Sequence, residues 1–94
     1  MFEVRSRADG SAELVGRLDA SEVDAARKSL DALAGPLVLD CSRLDYVSSA
    51  GIGLLMETHK RLLRSGQKLA LRNLLQRVRN VFIYAGLDRV LTLE

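Results

Sequence analysis

Ninety-four residues with 14 Lys+Arg against 12 Asp+Glu, 48% apolar and 28% charged, describe one small globular domain and exclude a disordered, collagen-like or disulfide-built chain. A chain of this size buries roughly 60–68% of its unfolded surface, enough for one core but not for a deep enclosed pocket as well, which favours a binding or regulatory module over an enzyme. The formal charge of +2 conceals net −3 over residues 1–50 and +5 over residues 51–94; with four aromatics and no Arg/Lys run, the basic half reads as a solvated helix face rather than a nucleic-acid surface.

The opening MFEVRSRADG carries charge early and lacks an apolar run, so no signal peptide is expected, and no segment is apolar for long enough to span a membrane. The single cysteine, Cys41, cannot close an internal disulfide, and a reducing cytoplasm is the expected location. Phe2-Glu3-Val4-Arg5 and Ala12-Glu13-Leu14-Val15 alternate around Asp9-Gly10, which predicts a β-hairpin. Val23, Ala26, Leu30 and Leu33 then recur at helical spacing, with Ser21 and Asp24 marking the start and Gly35-Pro36 the stop. Leu37-Val38-Leu39, opening into Asp40-Cys41-Ser42, reads as a short buried strand.

From Ser49 the helical period returns, placing Ile52, Leu55, Met56, His59, Leu62 and Leu63 on one face up to Ser65-Gly66. Lys68-Leu69-Ala70-Leu71-Arg72 predicts another strand. Leu75, Val78, Val81, Phe82 and Ala85 form a third helical stripe closed by Gly86, with Ile83 and Tyr84 off that stripe as a candidate contact patch. Val90-Leu91-Thr92-Leu93 is either a short strand or a frayed end. Strand-helix-strand units after an antiparallel hairpin give an α/β domain with a mixed β-sheet covered by α-helices.

The informative segment is Leu44-Asp45-Tyr46-Val47-Ser48-Ser49-Ala50-Gly51-Ile52-Gly53, where a buried strand passes into a helix beyond the carboxyl end of the sheet. Ser48 or Ser49 is the natural N-cap, worth about 1 kcal/mol over alanine. Gly51 and Gly53 each cost the helix roughly 1 kcal/mol in propensity, which implies either tight packing of helix on strand or close approach of another molecule. A serine nucleophile would need a base within hydrogen-bond reach; the only histidine, His59, lies ten residues along the same helix, about 15 Å away. Gly51-Ile52-Gly53 lacks the third glycine and the lysine of phosphate-binding loops. One Cys and one His, with no suitably spaced carboxylates, make no metal site. What remains is a hydroxyl at a helix N-terminus, where an added phosphate suits the fold but burdens an interface.

With Asp40 upstream, this segment resembles the STAS family, shared by bacterial anti-sigma factor antagonists and the cytoplasmic ends of sulfate transporters. Gly16-Arg17-Leu18-Asp19 and the run Val78 to Leu87 resemble two further family stretches, so the likeness covers residues 1–94 in order. The resemblance implies a single STAS-like domain without catalytic activity, cofactor or metal. It further implies phosphorylation on Ser49 by an anti-sigma factor with serine kinase activity, reversed by a serine phosphatase, with no direct nucleic-acid contact. Ser48 stands where family members often carry Asp and is a competing acceptor; Ala20-Ser21-Glu22 lacks a Thr often found there. Asp19, Asp40, Tyr46, Val47, Ser48, Ala50, Gly51, Ile52 and Gly53 are the expected partner-binding residues, with Asp19 and Asp40 at one end of the sheet. The alternative is a non-switching STAS docking subunit of a transport, secretion or signalling assembly.

Overall fold

A computed structural model describes all 94 residues. The hairpin forms as the alternation requires: β1 (Phe2–Ser6) pairs antiparallel with β2 (Ala12–Leu18), and Asp9 holds the turn by accepting from the backbone N–H of Ser11 at 3.0 Å and its hydroxyl at 2.7 Å. The chain then alternates helix and strand: α1 (Val23–Asp31), β3 (Leu37–Val47), α2 (Ser49–Arg64), β4 (Leu69–Arg72), α3 (Gln76–Tyr84) and β5 (Thr92–Leu93). The sheet order is β1-β2-β3-β4-β5, parallel from β2 onward. The end of the chain, strand or fray by sequence, is thus a two-residue strand.

Alternate residues of the strands meet the helices in one core. Leu14, Leu18, Leu39, Leu44 and Leu71 from the sheet are fully enclosed with Leu30, Leu54, Leu55 and Phe82 from the helices. The opposite face of β1, β2 and β3 carries Arg17 and also Glu3, Arg5, Glu13 and Asp40, whose ion pairs suit solvent.

Three sequence expectations need correction. The strand opened by Leu37 does not end near Asp40; it runs eleven residues to Val47. Its pairing with β2 slips twice: Glu13 and Val15 oppose Asp40 and Arg43, then Gly16 and Arg17 oppose Leu44 and Tyr46. Each slip inserts one extra residue in β3, a β-bulge, so the buried positions fall at Leu37, Leu39, Cys41, Leu44 and Val47, and strict alternation is lost. In α2 the buried face is Gly51, Leu54, Leu55, Thr58 and Leu62, while Leu63 is half-exposed. Thr58 tolerates burial because its hydroxyl donates to the Leu54 carbonyl at 3.1 Å. The first helix is entered through a turn of 3-10 helix, Ala20–Glu22, capped by Asp19 and not by Ser21.

Candidate functional site at the start of the second long helix

The strand-to-helix turn is fixed by backbone. The Ser48 N–H donates to the Leu18 carbonyl at 2.9 Å, tying the end of β3 to the end of β2, and the Ile52 N–H donates to the Ser48 carbonyl at 2.8 Å. Ser48 is extended, with φ −86° and ψ 171°, and its hydroxyl accepts from the Gly51 N–H at 3.1 Å. It is therefore the N-cap. Ser49 is the first helical residue, exposed, and no side-chain hydrogen bond holds its hydroxyl. The two serines have divided the work: one builds the helix end, the other faces outward.

The two glycines divide in the same way. A Cβ on Gly51 would lie 2.6 Å from the Leu18 carbonyl oxygen, 2.8 Å from Leu18 Cγ and 2.9 Å from Val47 Cγ2, so Gly51 lets the helix sit on the strand ends. Around Gly53 nothing lies within 4 Å of that position. Gly53 is exposed, and packing inside the chain gives no reason for the missing side chain.

Of the remaining expected site residues, Val47 is buried and Ile52 half-buried against the core, so both build the turn. Tyr46 is 40% exposed, Ala50 is exposed, and Asp19 is half-buried beside them at the end of β2. Asp19 accepts from the Ser21 hydroxyl at 2.6 Å and its N–H at 3.1 Å, and these bonds hold its carboxyl below the usual carboxylate range.

Asp40 is not at this end. It lies seven residues before Val47 on the same strand, a separation of about 20 Å at 3.3 Å per residue, because β3 continues past it. There it accepts from the Ser42 N–H at 3.0 Å, from Arg7 Nη2 at 2.9 Å and from Asn73 Nδ2 at 3.5 Å. The Ser42 amide foremost, with Arg7 and Asn73, overcomes partial burial and holds its carboxyl down to about 2. Its partners make it a cross-strand tie.

Sequence reasoning missed the flank of the site. The second half of β3 outruns β4, and α3 lies beside it, leaving a groove of about 380 Å³ lined by Arg17, Asp45, Tyr46, Arg77, Val78 and Val81. The Arg17 guanidinium sits 4.3 Å from the centroid of the Tyr46 ring, and Arg77 lies 3.7 Å from Asp45. The sequence held no signal for it: Arg17 comes opposite Tyr46 only through the two bulges of β3. Ile83 and Tyr84 are exposed, as their position off the stripe predicts, but so are Val81 and Ala85, which the sequence placed on it; α3 buries only Val78 and Phe82.

His59 lies further along α2 and half-buried, and burial pushes the Cys41 thiol up to about 12, far from a reactive thiolate. No group of three or more His, Cys, Asp or Glu side chains comes together, and no helix is long and apolar enough to cross a membrane. What the site offers is a free hydroxyl on a shallow, partly apolar surface.

Comparison with solved structures places this architecture among known ones. The Thermotoga maritima protein TM1081 superposes with a TM-score of 0.81 at 21% identity, covering 99% of this chain and 85% of that one. An anti-sigma factor antagonist from Mycobacterium paratuberculosis gives 0.79 at 21%, covering 99% and 83%. The anti-sigma factor antagonist SpoIIAA gives 0.76 at 22% in its unphosphorylated form, covering 100% and 88%, and the Bacillus phosphorylated form gives 0.71 at 20%, covering 100% and 91%. At these identities the likeness is one of fold. No curated protein matches the sequence. The family model described as "Mlab, STAS domain" matches residues 1–93. Because that match takes in every strand and helix around the Ser48–Gly53 turn, the chain belongs to the STAS domain family.

Proposed function

We propose that this domain is a partner-switching anti-sigma factor antagonist, a cytoplasmic non-enzymatic regulator that docks through the surface around Ser49. In this reading the unphosphorylated domain binds an anti-sigma factor with serine kinase activity. Phosphorylation of Ser49 releases it, and a serine phosphatase restores it; the domain touches neither nucleic acid nor membrane. The observation that carries the reading is the division between the two serines: Ser48 is committed to capping α2, and Ser49 stands exposed on the helix rim with its hydroxyl free.

The physical argument is one of interface cost. A phosphoserine adds about −1.5 to −2 charges. A charge left buried and unpaired against a partner costs roughly 3–5 kcal/mol, about two to three and a half decades in affinity. The exposed Tyr46, Ala50 and Gly53 give a partner a surface that reaches up to Ser49. Asp19 borders it, while Asp40 lies too far along β3 to share the same contact.

The test is incubation with the cognate kinase and ATP, followed by mapping of the phosphate and titration of the partner. Phosphate on Ser49, and loss of about a hundredfold or more in affinity for Ser49→Asp, are the expected results. Phosphate on Ser48 would move the switch to the capping residue, and undiminished binding of Ser49→Asp would overturn the reading. A second reading has its own support in the family description, which names the Mlab type of STAS domain. There the domain is a constitutive docking subunit, and neither Ser49→Ala nor Ser49→Asp changes its partner affinity.

A further inference from the structure

We infer that the free edge of β1 is a self-association surface that joins two copies of this chain through an antiparallel β1–β1 pair centred on Val4. The phase of the β1–β2 ladder is set by two bonds: the Arg17 N–H donates to the Met1 carbonyl at 2.9 Å, and the Arg7 N–H donates to the Ser11 carbonyl at 2.8 Å. With the register Phe2↔Gly16 through Ser6↔Ala12, the odd residues of β1 turn their backbone groups toward β2. Phe2, Val4 and Ser6 turn theirs outward. Three N–H and three C=O groups thus line an open edge.

That edge lacks most of the usual protection. β1 contains no proline, its register with β2 has no shift, and its exposed charges are only Glu3 and Arg5. Those charges are arranged to suit a second copy. If Val4 faces Val4 of the other copy, Phe2 faces Ser6, and all six outward groups are paired by hydrogen bonds. The intervening non-hydrogen-bonded positions, where side chains come closest, then set Glu3 of each copy opposite Arg5 of the other. Glu3 and Arg5, which pair with each other within the strand at 3.1 Å, exchange partners, and two ion pairs form across the axis on the solvated face. Any other register centred on an outward-facing residue sets Glu3 or Arg5 opposite an uncharged residue or beyond the end of the strand.

The opposite face of the strand adds a little apolar contact. Phe2 and Val4 are half-buried and, with Ala25 and Ala26 of α1 beside the polar Glu22 and Ser29, line a shallow groove of about 240 Å³. A second β1 would extend the floor of that groove with its own Val4. The result is a closed, two-fold pair with a continuous ten-stranded sheet, which ends the exposed edge without opening a path to fibres. It uses neither Ser48 nor Ser49 and stands independently of the switching reading.

The test is sedimentation of the full chain over a concentration series, with Glu3→Arg, Arg5→Glu and an equimolar mixture of the two. The wild type is expected to pass reversibly from monomer to dimer, with amide exchange at Phe2, Val4 and Ser6 slowing as the dimer forms while Glu3 and Arg5 are already protected. Each variant alone sets like charges across the axis twice and is expected to weaken dimerisation about tenfold. In the mixture, one chain carries arginine at both positions and the other carries glutamate at both. Opposite charges then face each other twice, and dimerisation is expected to return. Recovery in the mixture also shows that both variants fold. A wild type that stays monomeric at its highest soluble concentration, or a mixture no tighter than either variant, would overturn the inference.

Discussion

At the scale of single residues, adjacent pairs with the same chemistry have opposite roles. Ser48 and Ser49 are both hydroxyls at a helix start, yet only Ser48 accepts a first-turn amide. Ser48→Ala is expected to lower stability by about 1 kcal/mol, and Ser49→Ala to stay within about 0.5 kcal/mol, in denaturant melts followed by circular dichroism. Gly51 and Gly53 separate as sharply. Gly51→Ala drives a methyl into the Leu18 carbonyl and destabilises, whereas Gly53→Ala meets open space and should stabilise the helix by about 0.5–1 kcal/mol. If a partner closes over the first turn, the same Gly53→Ala should weaken its binding; a variant both more stable and fully competent for the partner would remove Gly53 from the docking surface.

Asp40 gives a residue-scale prediction of pH dependence. Its carboxyl is held at about 2 by the Ser42 amide, Arg7 and Asn73, below the ordinary value near 3.9. A depressed carboxyl contributes stability that is fully present above the unfolded value and is lost as pH falls through the folded one. The wild type should therefore lose on the order of 1–2 kcal/mol between about pH 4 and about pH 2 from this group. Asp40→Asn should flatten that part of the curve in acid titrations of the melting temperature. An unchanged acid limb would show that the tie between β3, the hairpin and the turn after β4 contributes little.

At the scale of elements, what the sequence discloses follows its periodicities. The hairpin, the three helices and β4 all announce themselves because each keeps one period from end to end. β3 does not: two bulges against β2 spread its buried residues to a spacing of two, two, three and three, which matches neither strand nor helix. The polar run from Asp40 to Arg43 therefore resembles a loop in sequence, and that likeness points Asp40 to the wrong end of the sheet. The face of α2 shifts for a different reason. Leu63 and Leu54 are equally apolar in sequence, but the close seat of Gly51 on Leu18 fixes the helix rotation and brings Leu54 and Thr58 inward. Contacts between elements distant in sequence also leave no periodic trace. Arg61 of α2 reaches across to donate to the Leu30 and Leu33 carbonyls at 2.9 and 3.1 Å, closing the end of α1. Arg61→Met keeps the apolar stem and leaves those carbonyls without that donor, at about 1–2 kcal/mol. Hydrogen exchange should then quicken toward the end of α1 before anywhere else; uniform quickening would show that the contact does not cap the helix locally.

At the scale of the whole molecule, the question is whether a charge on Ser49 acts through shape or through the surface alone. The first turn of α2 holds no acidic side chain, so the positive end of the helix dipole is left to favour a negative group. The residues that position Ser49 are backbone-fixed: Ser48 to Leu18 on one side and Ile52 to Ser48 on the other. Neither bond involves the Ser49 hydroxyl. A negative group there gains about 0.3–1 kcal/mol from the dipole and breaks nothing that the fold depends on. Ser49→Asp should therefore melt at or slightly above the wild-type temperature, with amide chemical-shift changes confined to the Leu18–Asp19 and Tyr46–Gly53 segments. The partner should be lost nonetheless, because the penalty arises only when the interface removes water from the charge. A variant that melts lower, or whose shifts spread into β4 and α3, would mean that the switch works by rearranging the domain and that the surface account is wrong.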